Sequence, residues 1–87
     1  MAGETRLVYE FEKNSLETVR VSLKTYRGTH VIDVRVFFPV GGGDHKPTRK
    51  GLTISTTLLP QLARAVVALQ EAIEQELDSF QSPRQRV

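Results

Sequence analysis

The 87-residue chain contains no cysteine, so neither a disulfide nor a thiolate zinc site braces the fold. Its two histidines, His30 and His45, stand far apart and without ligand spacing, so no metal or other cofactor is expected. No apolar run approaches the roughly 20 residues of a membrane span, and the N-terminus has no signal-peptide core. The expected protein is therefore soluble and intracellular. There is no internal repeat and no low-complexity tract. A chain this short forms one domain with a poor surface-to-volume ratio. With disulfides and metals set aside, self-association is the expected route to a sufficient core.

Catalytic constellations are missing as well. Gly41-Gly42-Gly43 runs into Asp44-His45-Lys46-Pro47, not into the Gly-Lys-Ser/Thr of a phosphate-binding loop. Asp33 and Asp44 are the only carboxylates between residues 20 and 50, and nothing pairs them as acid and base. An enzyme is not expected. Asp33, flanked by Ile32 and Val34, is expected to orient Arg35 or a neighbouring cation.

What the chain does have is a concentrated positive charge. The net charge is only +2. Residues 20–50, however, carry seven Lys or Arg against two Asp, while the flanking segments are acidic. That is the footprint of a face for a polyanion. Val19, Val21 and Leu23 alternate with Arg20, Ser22, Lys24 and Tyr26, which predicts a strand with one apolar and one basic face. Arg27-Gly28-Thr29 predicts a hairpin turn. Residues 30–38 predict a second strand, with Ile32, Val34 and Val36 inward and Arg35 outward. Phe37 and Phe38 break that alternation, so placing Phe38 beside Arg35 requires a bulge between them.

Residues 44–50 contain Pro47 and are expected to form an edge or bent strand, and Leu52-Thr53-Ile54-Ser55 a short final one. Leu59, Leu62, Val66, Leu69, Ile73, Leu77 and Phe80 recur at helical spacing, with Pro60 allowed in the first turn. This helix is long for so small a sheet. Its 62, 66, 69, 73 spacing resembles a coiled-coil seam, so a second copy of the helix is the expected partner. Residues 1–17 are expected to be an N-terminal extension in which 7–12 alternate like an extra strand, 18–80 the domain, and 81–87 a flexible tail.

Basic residues interleaved with aromatics on a sheet suit single-stranded nucleic acid, where cations follow phosphates and rings stack on unpaired bases. Three runs strengthen this reading. Val21-Ser22-Leu23-Lys24-Thr25-Tyr26-Arg27-Gly28, Ile32-Asp33-Val34-Arg35 and Lys46-Pro47-Thr48-Arg49-Lys50-Gly51-Leu52-Thr53-Ile54 together resemble the positive cofactor four family of transcriptional coactivators. The resemblance spans about residues 19–77, and the compact form is closest to bacterial or viral members. It implies an α+β fold: a curved four-stranded antiparallel sheet followed by one long helix, ββββα. It also implies a homodimer through the helices, with Leu62, Val66, Leu69, Ile73 and Leu77 at the interface. The single-stranded-DNA contacts it implies are Tyr26, Arg27, Gly28, Arg35, Phe38, Lys46, Arg49 and Lys50, with Arg20 and Lys24 added from the basic face. Phe38 stands where the family usually has tryptophan. The expected function is single-stranded DNA binding with little sequence preference, in transcription regulation or in replication and repair. Transcription machinery is a further expected partner. The location would be the bacterial cytoplasm at the nucleoid, or a eukaryotic nucleus. The alternatives are RNA binding by the same fold, or a protein-interaction module using the long helix.

Overall fold

The computed structural model describes residues 4–81, and the side chains of residues 4–77. It divides into two compact units, a sheet ending at Thr56 and a helical unit from Thr57 onward.

The sheet is an antiparallel meander of four strands in the order β1 (Thr5–Glu12), β2 (Thr18–Tyr26), β3 (Thr29–Gly41), β4 (Asp44–Ser55). The expected strand count holds, but its membership differs. Residues 44–55 form one strand rather than two, and the N-terminal segment supplies the fourth. Strand β1 is not an appendage, since seven of its residues lie opposite residues of β2. A shift between Leu7 and Tyr9 sets Leu7 opposite Ser22, while Tyr9 and Phe11 face Val21 and Val19. The simple alternation read from Leu7, Tyr9 and Phe11 is thus broken at Val8. The Tyr9 and Phe11 rings are tilted neighbours, 6.2 Å apart.

The loop between β1 and β2 is closed by its own side chains. The Asn14 carboxamide oxygen accepts from the backbone N–H groups of Leu16 and Glu17 at 2.9 and 2.7 Å. Between β2 and β3 the chain turns through Arg27 (φ 53°) and Gly28 (φ 77°). Two consecutive positive φ values make the primed turn that suits the right-handed twist of a hairpin. Glycine adopts it freely; arginine does not.

Strand β3 is the spine of the sheet. Its pairing with β2 runs without interruption from Tyr26 opposite Thr29 to Thr18 opposite Phe37. Val19, Val21, Leu23, Ile32, Val34, Val36, Leu52 and Ile54 therefore share one apolar face. Arg20, Ser22, Lys24, Asp33, Arg35, Phe37 and Thr53 share the other. Among the described residues, only Ile32 (7% exposed) and Val36 (8%) are buried apolar side chains.

The bulge expected within β3 lies on β4 instead. The β3–β4 register slips between Arg35, opposite Gly51, and Phe37, opposite Pro47, so residues 48–50 bulge out against Val36. With β3 itself regular, Phe37 keeps Arg35's face and Phe38 alternates to the other.

A 3-10 turn, Thr56–Leu58, precedes α1 (Leu59–Gln81), which is about 35 Å long at 1.5 Å per residue. Pro60 occupies its first turn, as expected. Val66, Leu69, Ile73 and Leu77 are exposed on α1, and Leu62 is half-buried. Gln81, expected to begin the tail, is the last residue of α1, while residues 82–87 of that tail and the expected apolar Phe80 side chain lie outside what is described. No described helix is long and apolar enough to cross a membrane. Among the described residues, no three His, Asp or Glu side chains gather as metal ligands.

Candidate nucleic-acid interface

Geometry divides the basic residues expected to contact DNA into two groups. The first group is engaged inside the sheet. Arg20 donates from Nε to Glu10 Oε2 at 2.8 Å, and its guanidinium lies 4.6 Å above the Phe37 ring. Lys24 Nζ lies 3.7 Å from Asp33 Oδ2. Arg35 grips Asp33 through Nε and Nη2, with Nη2 2.9 Å from Oδ1. Lys50 Nζ reaches Glu17 Oε2 at 3.4 Å, joining β4 to the β1–β2 loop. The second group is Arg27, Lys46 and Arg49. Among the described residues, none of these three has an ion pair or a hydrogen bond from its side-chain nitrogens.

Two of the three free cations accompany an aromatic ring. The Arg27 guanidinium lies 5.1 Å from the centre of the Tyr26 ring, and Tyr26 is 59% exposed. Lys46 stands directly opposite Phe38, which is 45% exposed. The pair lies where β3 and β4 continue as a two-stranded ribbon beyond the first residue of β2. A ribbon free of flanking strands twists strongly and offers both faces, so alternation away from Arg35 does not hide Phe38. One aromatic–cation unit thus sits at each end of β3, roughly 30 Å apart at 3.3 Å per residue. Gly28 sits in the turn beside the first. Phe37, under Arg20 and opposite Thr18, belongs to the basic face of the sheet.

Asp33 is the buried anchor of that face, only 3% exposed. Burial alone would raise its carboxyl. Hydrogen bonds from Arg35 and Thr53, with the Lys24 charge nearby, outweigh burial and hold it below the ordinary carboxylate range. The Asp33 bond in turn raises the Arg35 guanidinium. The expectation that Asp33 orients Arg35 matches this geometry. Sequence reasoning missed Glu10, Glu17, Thr48 and Thr53, whose roles depend on strand register. Thr53 alone had a visible signal, in its alternation with Leu52 and Ile54.

Glu17 carries a pH dependence. Hydrogen bonds from Lys13 and Asn14, aided by Lys50 and opposed by slight desolvation, pull its carboxyl from 4.5 down to about 2. An acid lowered by folding stabilises the folded loop above its unfolded value. That contribution is complete above 4.5 and disappears as pH falls toward about 2. A carboxyl NMR titration should place the Glu17 midpoint near the lower value. A midpoint at the ordinary value would show that the loop does not hold these bonds.

Comparison with known proteins agrees with the fold. No curated protein matches significantly. A PC4 homologue from Burkholderia pseudomallei is similar at TM-score 0.70 in its orthorhombic crystal form, with 29% identity over 79% of this chain and 90% of that one. Its tetragonal form gives TM-score 0.69 and 30% identity, over 79% of this chain and 98% of that one. A bacteriophage T5 homologue of PC4, implicated in recombination-dependent DNA replication, shares the fold at TM-score 0.54 and 17% identity, over 99% of this chain and 94% of that one. The model of the transcriptional coactivator p15 (PC4) family matches residues 13–65, which hold β2, β3, β4 and the start of α1. The chain therefore belongs to the transcriptional coactivator p15 (PC4) family.

Proposed function

We propose that the chain binds single-stranded DNA with little sequence preference, as a coactivator or regulator in transcription or in replication and repair. The observation that carries this reading is the pair of aromatic–cation units, Tyr26–Arg27 and Phe38–Lys46, at the two ends of β3. Rings so placed can stack on unpaired bases while the cations beside them meet phosphates. Duplex DNA has no free base faces for them. Arg49 adds a free cation on β4. Arg20, Lys24 and Lys50 border the same path but first have to exchange a carboxylate for a phosphate. Binding is a non-enzymatic function, and nothing in it calls for a cofactor.

The binding form is a homodimer. With Ile32 and Val36 as its buried apolar side chains, the described chain has little closed core. Leu62, Val66, Leu69, Ile73 and Leu77 on α1 form the apolar seam that a second copy would cover. An intracellular setting, at a bacterial nucleoid or in a nucleus, follows from a DNA partner.

The test is titration of oligo(dT), oligo(U) and a duplex of equal length across a range of salt. Oligo(dT) should win, and equal, salt-labile binding to all three would reduce the site to a basic surface. If the three free cations make the phosphate contacts, log affinity falls with log salt at a slope of about −2 per chain, against about −3.5 for five cations. Arg27→Asn sharpens the result, because asparagine suits a positive φ better than arginine. The variant should fold at least as well, yet bind more weakly and lose about 0.7 of the slope. An unchanged slope would take Arg27 off the DNA path.

A further inference from the structure

We infer that Arg35 is a positioning residue: with Asp33, Thr48 and Thr53 it latches the bulge of β4 that presents Arg49 and Lys50. This rests on the DNA-binding reading above, and it reassigns a residue that the family resemblance places in contact with DNA.

Between Arg35–Gly51 and Phe37–Pro47 the β3–β4 ladder is interrupted, and residues 48–50 have no regular partners. Arg49 and Lys50 are exposed, but Thr48 is half-buried, and backbone groups left there without partners are costly. Here side chains replace the ladder. The Thr48 hydroxyl donates to the Val36 carbonyl at 2.8 Å and accepts from the Lys50 N–H at 3.1 Å. The Thr48 carbonyl accepts from Arg35 Nη1 at 3.0 Å.

Arg35 is itself fixed on its other side. Its Nε donates to Asp33, and its Nη2 donates to both Asp33 Oδ1 and Thr53 Oγ1. The Thr53 hydroxyl donates a hydrogen bond to Asp33 Oδ1 at 2.7 Å. A guanidinium has five N–H donors. Four are engaged here, which leaves one, so the two-pronged grip that makes arginine a phosphate ligand is not available. The Arg35 charge is also neutralised by a carboxylate that is almost fully buried. Gly51 completes the arrangement, because Arg35 lies close over its backbone. The guanidinium therefore acts as a strut from the centre of the sheet to the bulge.

The discriminating variant is Asp33→Asn, which removes a negative charge from the DNA face. If Asp33 is merely a neighbouring charge, oligo(dT) binding tightens. If it anchors the latch, binding weakens, by roughly ten-fold if one charge-assisted contact is displaced. Arg35→Lys keeps the charge and loses the fork, so it should bind as weakly as Arg35→Gln. Thr53→Val is milder, and with Arg35→Lys it decides the question should Asp33→Asn fail to fold. Amide hydrogen exchange at Lys50, measured without DNA, should accelerate in each of these variants that folds. Tighter binding by Asp33→Asn, full rescue by Arg35→Lys, or unchanged Lys50 exchange would each overturn the latch. Failure of the wild-type protein to bind oligo(dT) would instead remove the functional reading and leave the exchange result to stand for the strut.

Discussion

Replacing Gly51 by alanine should cost the sheet about 1–3 kcal/mol, the usual penalty for forcing atoms into a closed contact. A Cβ there would lie 2.5 Å from the Val34 carbonyl oxygen and 3.0 Å from both Cα and Cζ of Arg35. The guanidinium could swing aside, but the Val34 carbonyl is main chain in the central strand and can move only with β3. Gly51 is not among the positive-φ glycines, so close approach, not dihedral freedom, demands it. The strain falls beside the β4 bulge, and oligo(dT) binding should weaken along with stability. A urea titration at fixed protein concentration reads the first effect. An unchanged midpoint would mean that β4 can shift away from β3 at no cost.

Tyr26→Ala and Phe38→Ala should each weaken oligo(dT) binding by about 1–3 kcal/mol, the range for loss of one base–aromatic stack. In affinity this is about 5- to 150-fold. The two rings lie at opposite ends of β3 and share no partner, so the double variant should show the sum. Both are exposed, and neither replacement opens a cavity, so stability should hardly change. Phe37→Leu is the internal comparison. One face of the Phe37 ring is already covered by Arg20, and its loss should register in stability before affinity. Should Phe37 carry the affinity and Phe38 none, the stacking surface would be the basic face of the sheet rather than the ribbon.

Much of this architecture can be read from residue order. The Val19–Tyr26 alternation marks β2 and both its faces, because one apolar and one charged side leave a single assignment. Arg27-Gly28 marks the turn. The seven-member apolar series from Leu59 marks α1, and Pro60 locates its first turn. The bulge on β4 is not legible, because a two-residue slip leaves no trace in the composition of Thr48-Arg49-Lys50. Its consequence, that Phe37 rather than Phe38 shares Arg35's face, is hidden for the same reason. At Val8 a smaller irregularity separates Leu7 from Tyr9 and Phe11. The candidate site is readable as a set of basic and aromatic residues. Which cations are already engaged is not, because Glu10 and Glu17 reach Arg20 and Lys50 only once the sheet is assembled in register.

That internal pairing shapes how the protein would meet a polyanion. Arg20, Lys24, Arg35 and Lys50 each stand beside a carboxylate, so the field that this face projects into solvent is far weaker than its count of cations suggests. Long-range capture of nucleic acid, in which any phosphate backbone is drawn in at speed, is correspondingly subdued. On the proposed function, discrimination would be left to the final few ångströms, where a ring finds an unstacked base or finds none. A surface arranged in this way can share a crowded compartment with a large excess of duplex and stay mostly unoccupied until a strand opens.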